Sequence, residues 1–468
     1  MNRDDVIYLA LLAFSMCFGL YYRRINDHIK KKYIGASLGF LIVLIVSRVH
    51  IIHVLITTIV NGLLILYTDR RKCQVYVFSF SFLYLFFFRT TAYFGIPYPP
   101  SHTNLVQMML ILKIIGLAFE VNSSYQLSLN KGDAQNNTDD ERLENETFQI
   151  KDIGFLDICC YLFCYCGVLT GPYFTYRTYV DHLHKPYHKY DDMKGALLEK
   201  LTWLPLLITL HLVTNHYWPL YYVETEEFLN RSFFYRYWYI WPSFLIFRSR
   251  IYIGLILTEI VCIFAGFGVY PTFTEPKAGH GPTKNFRKLK EMTPEDLKSI
   301  AYDYETIHCV DVYKADCVPT MREAMKYWNI TIQYWLAAYV YKKFPYKKYR
   351  TMVTMLVSSL WHGVYAGYYF CIGTVPFGLL WEDVWAKLLL EGKTGTVLKL
   401  SSLIMLFFKM QLFSYQATAF VLLEIRKIIH YYNCVYHCIP ILYTAMYFLG
   451  KYILKQKKLK QKTTGKVE

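Results

Sequence analysis

Two stretches of the sequence set groups suited to proton transfer among apolar neighbours. In SSLWHGVYAGYY, Ser358, His362, Tyr365 and Tyr369 fall at offsets 0, 4, 7 and 11. On a helix that is one face. Imidazole is the side chain whose ordinary pKa lies near neutrality, so His362 suits general-base work. In MREAMKYWNITIQYWLAAYVY, Arg322, Lys326, Asn329 and Gln333 fall at the same offsets. That spacing predicts a polar stripe along one helix, with Asn329 near its middle. Each pattern also has a plainer reading. Asn and Gln bridge neighbouring membrane helices, and this explains the Asn329 stripe equally well. A lone membrane His is more often a buried ring satisfied by a hydroxyl or carbonyl than a catalyst.

The elements that carry these groups follow from composition. Of 468 residues, 54% are apolar and only 18% charged, and the charges are bunched. This excludes a disordered chain, a collagen-like chain and a small disulfide scaffold. Apolar runs of spanning length recur from Val6–Tyr22 onward, so the predicted class is an all-α, polytopic membrane protein of about 10–11 crossings. Arg48, His50 and His53 divide the long run Tyr33–Tyr67 into two. Later candidates include Trp203–Tyr221, Tyr235–Phe247, Ile251–Phe267, Tyr327–Tyr341, Met352–Tyr369, Leu398–Phe413 and Thr418–Ile429. The expected organisation is N-terminal membrane helices over 1–121 and a flexible polar loop over 122–152. Central helices follow over 153–271, then an extramembrane cap or re-entrant segment over 272–319. The helices of Asn329 and His362 occupy 320–450, and a basic cytosolic tail 451–468.

Other polar groups are assigned lesser parts. No phosphate-binding loop, dinucleotide fingerprint or GxSxG elbow is present. The 12 cysteines lack paired CxxC spacing, and Cys309 with Cys317 would pair only in a lumenal cap. His182, His184 and His188 read as a solvated loop, so no metal site is expected. Arg248 and Arg250 read as cations that meet a phosphate or, more often, cap a helix end at the headgroups. Lys113 and Glu120 lie two turns apart on one face, and each reads as a structural ion partner.

At these residues the chain resembles the membrane-bound O-acyltransferase family, in its lysophosphatidylinositol acyltransferase branch. The likeness is carried by Leu85–Lys113, TGPYFTYRTYVD (Thr170–Asp181), AGFGVYP (Ala265–Pro271) and YDYETI (Tyr302–Ile307). It continues through Met325–Lys342 and LWHGVYAGYY (Leu360–Tyr369). The resemblance implies tilted helices around a chamber crossing the bilayer. It also implies a polyunsaturated acyl-CoA such as arachidonoyl-CoA as donor, lysophosphatidylinositol as acceptor, and an endoplasmic-reticulum membrane. Acyl-CoA is then a substrate, and no cofactor is expected. The family's functional His and Asn fall on His362 and Asn329. Trp328, Gln333, Ser358 and Trp361 become candidate substrate contacts, with Ser358 fixing the imidazole tautomer and the two tryptophans excluding water. Lys342–Arg350 is assigned to the CoA phosphates on charge alone. The formal charge of +16 suits an anionic headgroup, CoA or an anionic membrane equally, and no nucleic-acid partner is expected. Three rivals stay open: another acceptor, a transporter, and a non-catalytic scaffold.

Overall fold

The structure, a computed structural model, describes residues 3–129, 149–150, 152–185 and 187–464. It is helical almost throughout. Among the described residues, five helical segments are long and apolar enough to cross a membrane. They are Arg3–Tyr22, His28–Tyr67, Ser101–Leu129, Met193–Glu224 and Gly395–Leu422. The second is two helices, His28–Ser47 and Ile51–Tyr67, joined by a 3-10 turn at Arg48–His50. The chain bends where the sequence sets its cations. Asp27 opens the first of the pair, its carboxylate accepting from Ile29 N (2.8 Å) and Lys30 N (3.1 Å).

The chain forms two compact units interleaved in sequence. The first comprises Met1–Leu204, Gly254–Val310 and Asn329–Lys343, the second Pro205–Ile253, Asp311–Trp328 and Phe344–Glu468. In the first unit the Ser101–Leu129 helix is buried along most of its length. Interhelical hydrogen bonds tie its neighbours together, as apolar lipid gives helices little other reason to associate. Gln107 donates to Thr57 Oγ1 (2.5 Å) and Ser81 to Asn61 Oδ1 (3.2 Å). Gly39 admits the Phe163 carbonyl to a place where a Cβ would lie 1.7 Å from it. In the second unit a core of Phe228, Tyr239, Trp381, Met405, Tyr431 and their neighbours packs the later helices together.

Several expectations are corrected. Tyr235–Phe247 and Ile251–Phe267 are not separate spans, because Ile240–Ala265 is one helix through Arg248 and Arg250. Arg248 is no headgroup cation. It pairs with Asp316 (3.3 Å). Gly395–Leu422 likewise merges two expected segments before a separate Ile425–Cys434 helix. The first part of the expected polar loop, Asn122–Leu129, continues the preceding helix, and 130–148 lies outside the described residues. The basic tail extends the Cys438–Thr464 helix. The 272–319 segment is flanked and threaded by a two-stranded pair, β1 (Tyr270–Pro271) with β2 (Tyr302–Asp303), antiparallel with Tyr270 opposite Asp303. Thr293 and Asp296 cap its Pro294–Lys298 helix reciprocally. Cys309 and Cys317 are free thiols. His182 and His188 are buried, not solvated, with His182 Nδ1 3.1 Å from the Gly266 carbonyl. Lys113 and Glu120 are not partners. The Lys113 ammonium lies over the Phe174 ring (4.4 Å), and Glu120 accepts from Tyr176 N (3.0 Å) and Arg177 N (3.3 Å).

Candidate functional site

The second unit holds His362 as the last residue of the Arg350–His362 helix. The expected single face of Ser358, His362, Tyr365 and Tyr369 does not form. The backbone leaves the helix at Gly363 and re-enters one at Ala366–Cys371. Space sets the glycine here, because a Cβ on Gly363 would meet the Tyr368 ring at 2.4 Å. Gly367 is equally constrained. Its N–H donates to the Leu423 carbonyl (2.9 Å), and a Cβ would lie 2.2 Å from the Ala419 carbonyl.

Rings surround the half-buried imidazole. Trp361 lies 4.8 Å away between centroids, Phe420 5.2 Å and Tyr368 5.8 Å. Phe420 also meets Phe247 (4.9 Å), and Phe247 stacks on Trp328 (6.3 Å). Trp328 and Trp361 thus end on the same aromatic run as His362. Ser358 is buried one turn earlier. Its neighbour Ser359, unassigned from sequence, donates to the Met355 carbonyl (2.9 Å). Trp328 also meets Tyr252 (5.0 Å), whose hydroxyl donates to Asp316 Oδ1 (2.9 Å). Lys409, fully buried, donates to the carbonyls of Asp316 (2.8 Å) and Val318 (2.7 Å), at the end of the Val312–Cys317 helix. A cation at a helix C-terminus complements both the orphan carbonyls and the dipole.

Asn329, the next residue in the chain after Trp328, belongs to the first unit. The predicted continuous stripe is broken at it. Met321–Ala324 is one short helix, Asn329 is left-handed (φ 49°, ψ 55°), and a new helix runs over Ile330–Leu336. Asn is among the few non-glycine residues that visit this conformation readily. Arg322 points elsewhere, forming a forked pair with Asp383 (2.9 and 3.1 Å). Ile330 N donates to the Cys309 carbonyl (2.7 Å). Trp335 Nε1 donates to the Leu112 carbonyl (2.9 Å), and Thr331 Oγ1 accepts from Tyr173 N (3.3 Å). Gln333, half-buried, follows one turn after Asn329. The Asn329 carboxamide does not cap its helix and has no hydrogen-bond partner among the described residues. Behind Cys309 stands Glu259, fully buried. It accepts from Cys309 N (2.6 Å) and Val310 N (3.2 Å) and pairs with Lys200 (3.0 Å). Sequence reasoning missed Glu259, although a lone acid inside LILTEIVCIF is the signal that marks it. It had no means to find Phe247 or Phe420 among 32 phenylalanines.

Lys342–Lys343 and Lys347–Lys348 lie exposed on the connection before the His362 helix. Among the described residues no group of three or more His, Cys, Asp or Glu is placed to hold a metal ion.

The sequence profile of the MBOAT, membrane-bound O-acyltransferase family matches residues 53–425. The chain belongs to this family. It is therefore a multi-pass membrane enzyme of the acyltransferase class, which sets aside the transporter and scaffold readings. Its similarity to curated relatives runs nearly end to end. It is 40% identical to the membrane-bound acylglycerophosphatidylinositol O-acyltransferase of Drosophila melanogaster, covering 98% of this chain and 94% of the relative. It is 33% identical to the Homo sapiens protein of that description (96% and 94% covered). Identity to the Caenorhabditis elegans one is 31% (98% and 97% covered). In this O-acyltransferase the two candidate groups of the sequence stand at two separate helix breaks. One is a carboxamide without a hydrogen bond among the described residues, the other an imidazole set among rings.

Proposed function

We propose that this O-acyltransferase moves a polyunsaturated acyl chain, arachidonoyl above all, from acyl-CoA to the free sn-2 hydroxyl of lysophosphatidylinositol. The membrane is that of the endoplasmic reticulum. What carries the acceptor assignment is that relatives from fly, human and nematode, aligned over nearly their full lengths, are all acylglycerophosphatidylinositol O-acyltransferases. His362 takes the proton from the acceptor hydroxyl. The oxygen attacks the thioester carbonyl carbon, the C–S bond breaks, and the CoA thiolate leaves and recovers that proton. Asn329 donates a hydrogen bond to the oxyanion that forms or orients the acceptor hydroxyl, roles for which a carboxamide without a hydrogen-bond partner among the described residues is suited. Trp328 and Trp361 exclude water that would hydrolyse the thioester. Ser358 and Gln333 are substrate contacts, and the exposed lysines ahead of Arg350 meet the CoA phosphates. No cofactor is needed, because a thioester is already activated.

The test is a matrix of acyl-CoA donors against lysophospholipid acceptors, run on the purified protein and on His362→Ala. The reading requires lysophosphatidylinositol to lead the acceptors and the variant to lose about 10²–10⁴-fold in rate. A different leading acceptor would replace the substrate, and a His362→Ala rate near normal would remove the base.

A further inference from the structure

We propose that the second unit carries a binding site for an anionic phospholipid, separate from His362. The site is a cleft of about 290 Å³ lined by Val223, Glu224, Leu422, Arg426, Lys427 and His430.

The charges of the cleft are unequally committed. Lys427 is engaged, with its ammonium 2.9 Å from Glu224 Oε2 and 3.8 Å from Glu424 Oε1. That pairing neutralises the acid lining the cleft. Arg426 and His430 stand one turn apart on the same side of the Ile425–Cys434 helix, and neither has an ion pair or hydrogen bond among the described residues. The cleft therefore presents uncommitted cationic and N–H donors with no uncommitted carboxylate, which is the chemistry of a phosphate site.

The neighbouring row of the helix selects the source of that phosphate. Ile425 and Ile429, also one turn apart, are 54% and 38% exposed directly beside Arg426 and His430. A soluble anion would satisfy the guanidinium and leave this apolar row uncovered. A phospholipid satisfies both at once, phosphate on the basic row and acyl chain along the isoleucines. The helix is a firm wall for such a ligand. Ile428 is fully buried beneath it, Tyr431 donates to the Arg236 carbonyl (2.9 Å) and Tyr432 to the Tyr415 carbonyl (3.0 Å).

The full chain is reconstituted in phosphatidylcholine nanodiscs, and the immobilised fraction of spin-labelled phosphatidylserine is compared with that of spin-labelled phosphatidylcholine. The wild type should hold phosphatidylserine preferentially. Arg426→Ala with His430→Ala should lower that preference by about fivefold or more, the weight of one surface cation. Arg426→Lys should retain most of it, and millimolar glycerol 3-phosphate should not compete. Acyl transfer at saturating substrate should stay near the wild-type rate in the double variant. Equal preference in the wild type and the double variant would overturn the site, and full competition by glycerol 3-phosphate would overturn the lipid occupant. A raised KM for the lysolipid acceptor in the double variant would overturn its separation from His362.

Discussion

Asn329 opens a helix and His362 closes one. Asn329 is held through the backbone, by its own left-handed conformation and by the Cys309 carbonyl on Ile330 N, with Glu259 fixing Cys309 from behind. His362 is held through side chains, by the rings of Trp361, Tyr368 and Phe420, with glycines at 363 and 367 making room. One sequence pattern, a polar residue in an aromatic and aliphatic run, is thus positioned by two physical means. A backbone-held group should tolerate changes of ring size nearby and fail when its dihedral angles are denied. A ring-held group should do the reverse.

The sharpest test is chemical. If both groups serve one transition state, Asn329→Ala loses about 10²–10³-fold in kcat, and combining it with His362→Ala loses less than the product of the single losses. Kinetics on the two single variants and the double variant read this directly. Losses that multiply would mean two independent functions.

The next effect isolates the ring-held side. Gly363→Ala drives a methyl into Tyr368, and a displacement of about 1 Å near the chemistry costs about 10²-fold. Tyr368→Leu, which removes one of the rings that hold His362, should by itself lower the rate by a comparable factor. A normal rate in Tyr368→Leu would show that the rings do not hold His362, and the contrast with Asn329 would disappear.

Helical segments were legible because long apolar runs with bunched charges have few other solutions in a bilayer. The bend at Arg48–His50 was legible because its cations sit together in the sequence. The breaks at Asn329 and Gly363 were not. Apolar spacing continues through both, and a single left-handed Asn leaves no trace in composition. Arg248 misled for a related reason. Read locally it ends a helix, and only Asp316, distant in sequence, lets it sit inside one. The candidate residues were thus chosen by type, while their placement at helix ends depended on partners that no local pattern announces.

The backbone-held side has its own variant pair. Asn329→Gly and Asn329→Ala both remove the carboxamide, so their activities should fall alike. Alanine alone resists the left-handed conformation, at a cost of about 1–2 kcal/mol. Thermal unfolding in one detergent should therefore rank Asn329→Gly above Asn329→Ala. Equal midpoints would mean that the left-handed conformation is not what holds this break.

The smallest effect is a pH dependence that should reach one break and not the other. His308 lies outside the membrane spans, beside Cys309, with Nδ1 3.0 Å from Glu305 Oε2 and Nε2 3.0 Å from the Val310 carbonyl. Both contacts are acceptors, so only the doubly protonated ring satisfies both. Burial pulls the His308 pKa down, but the Glu305 hydrogen bond and nearby carboxylate charge outweigh it, leaving the value above the ordinary one. A raised folded-state pKa means the stabilisation is fully present below about pH 6.5, the unfolded value, and is lost as pH rises through the folded value. The amount is about 1 kcal/mol or less, because Glu305 is partly exposed. The stability gap between wild type and His308→Gln should therefore narrow from about pH 6 to about pH 8. Amide exchange over Ile330–Leu336, corrected for its intrinsic pH dependence, should quicken across that range in the wild type, because Cys309 anchors Ile330. Exchange over Arg350–His362 should not. A response shared by both helices, or a gap that ignores pH, would mean the two breaks are not held by separate means.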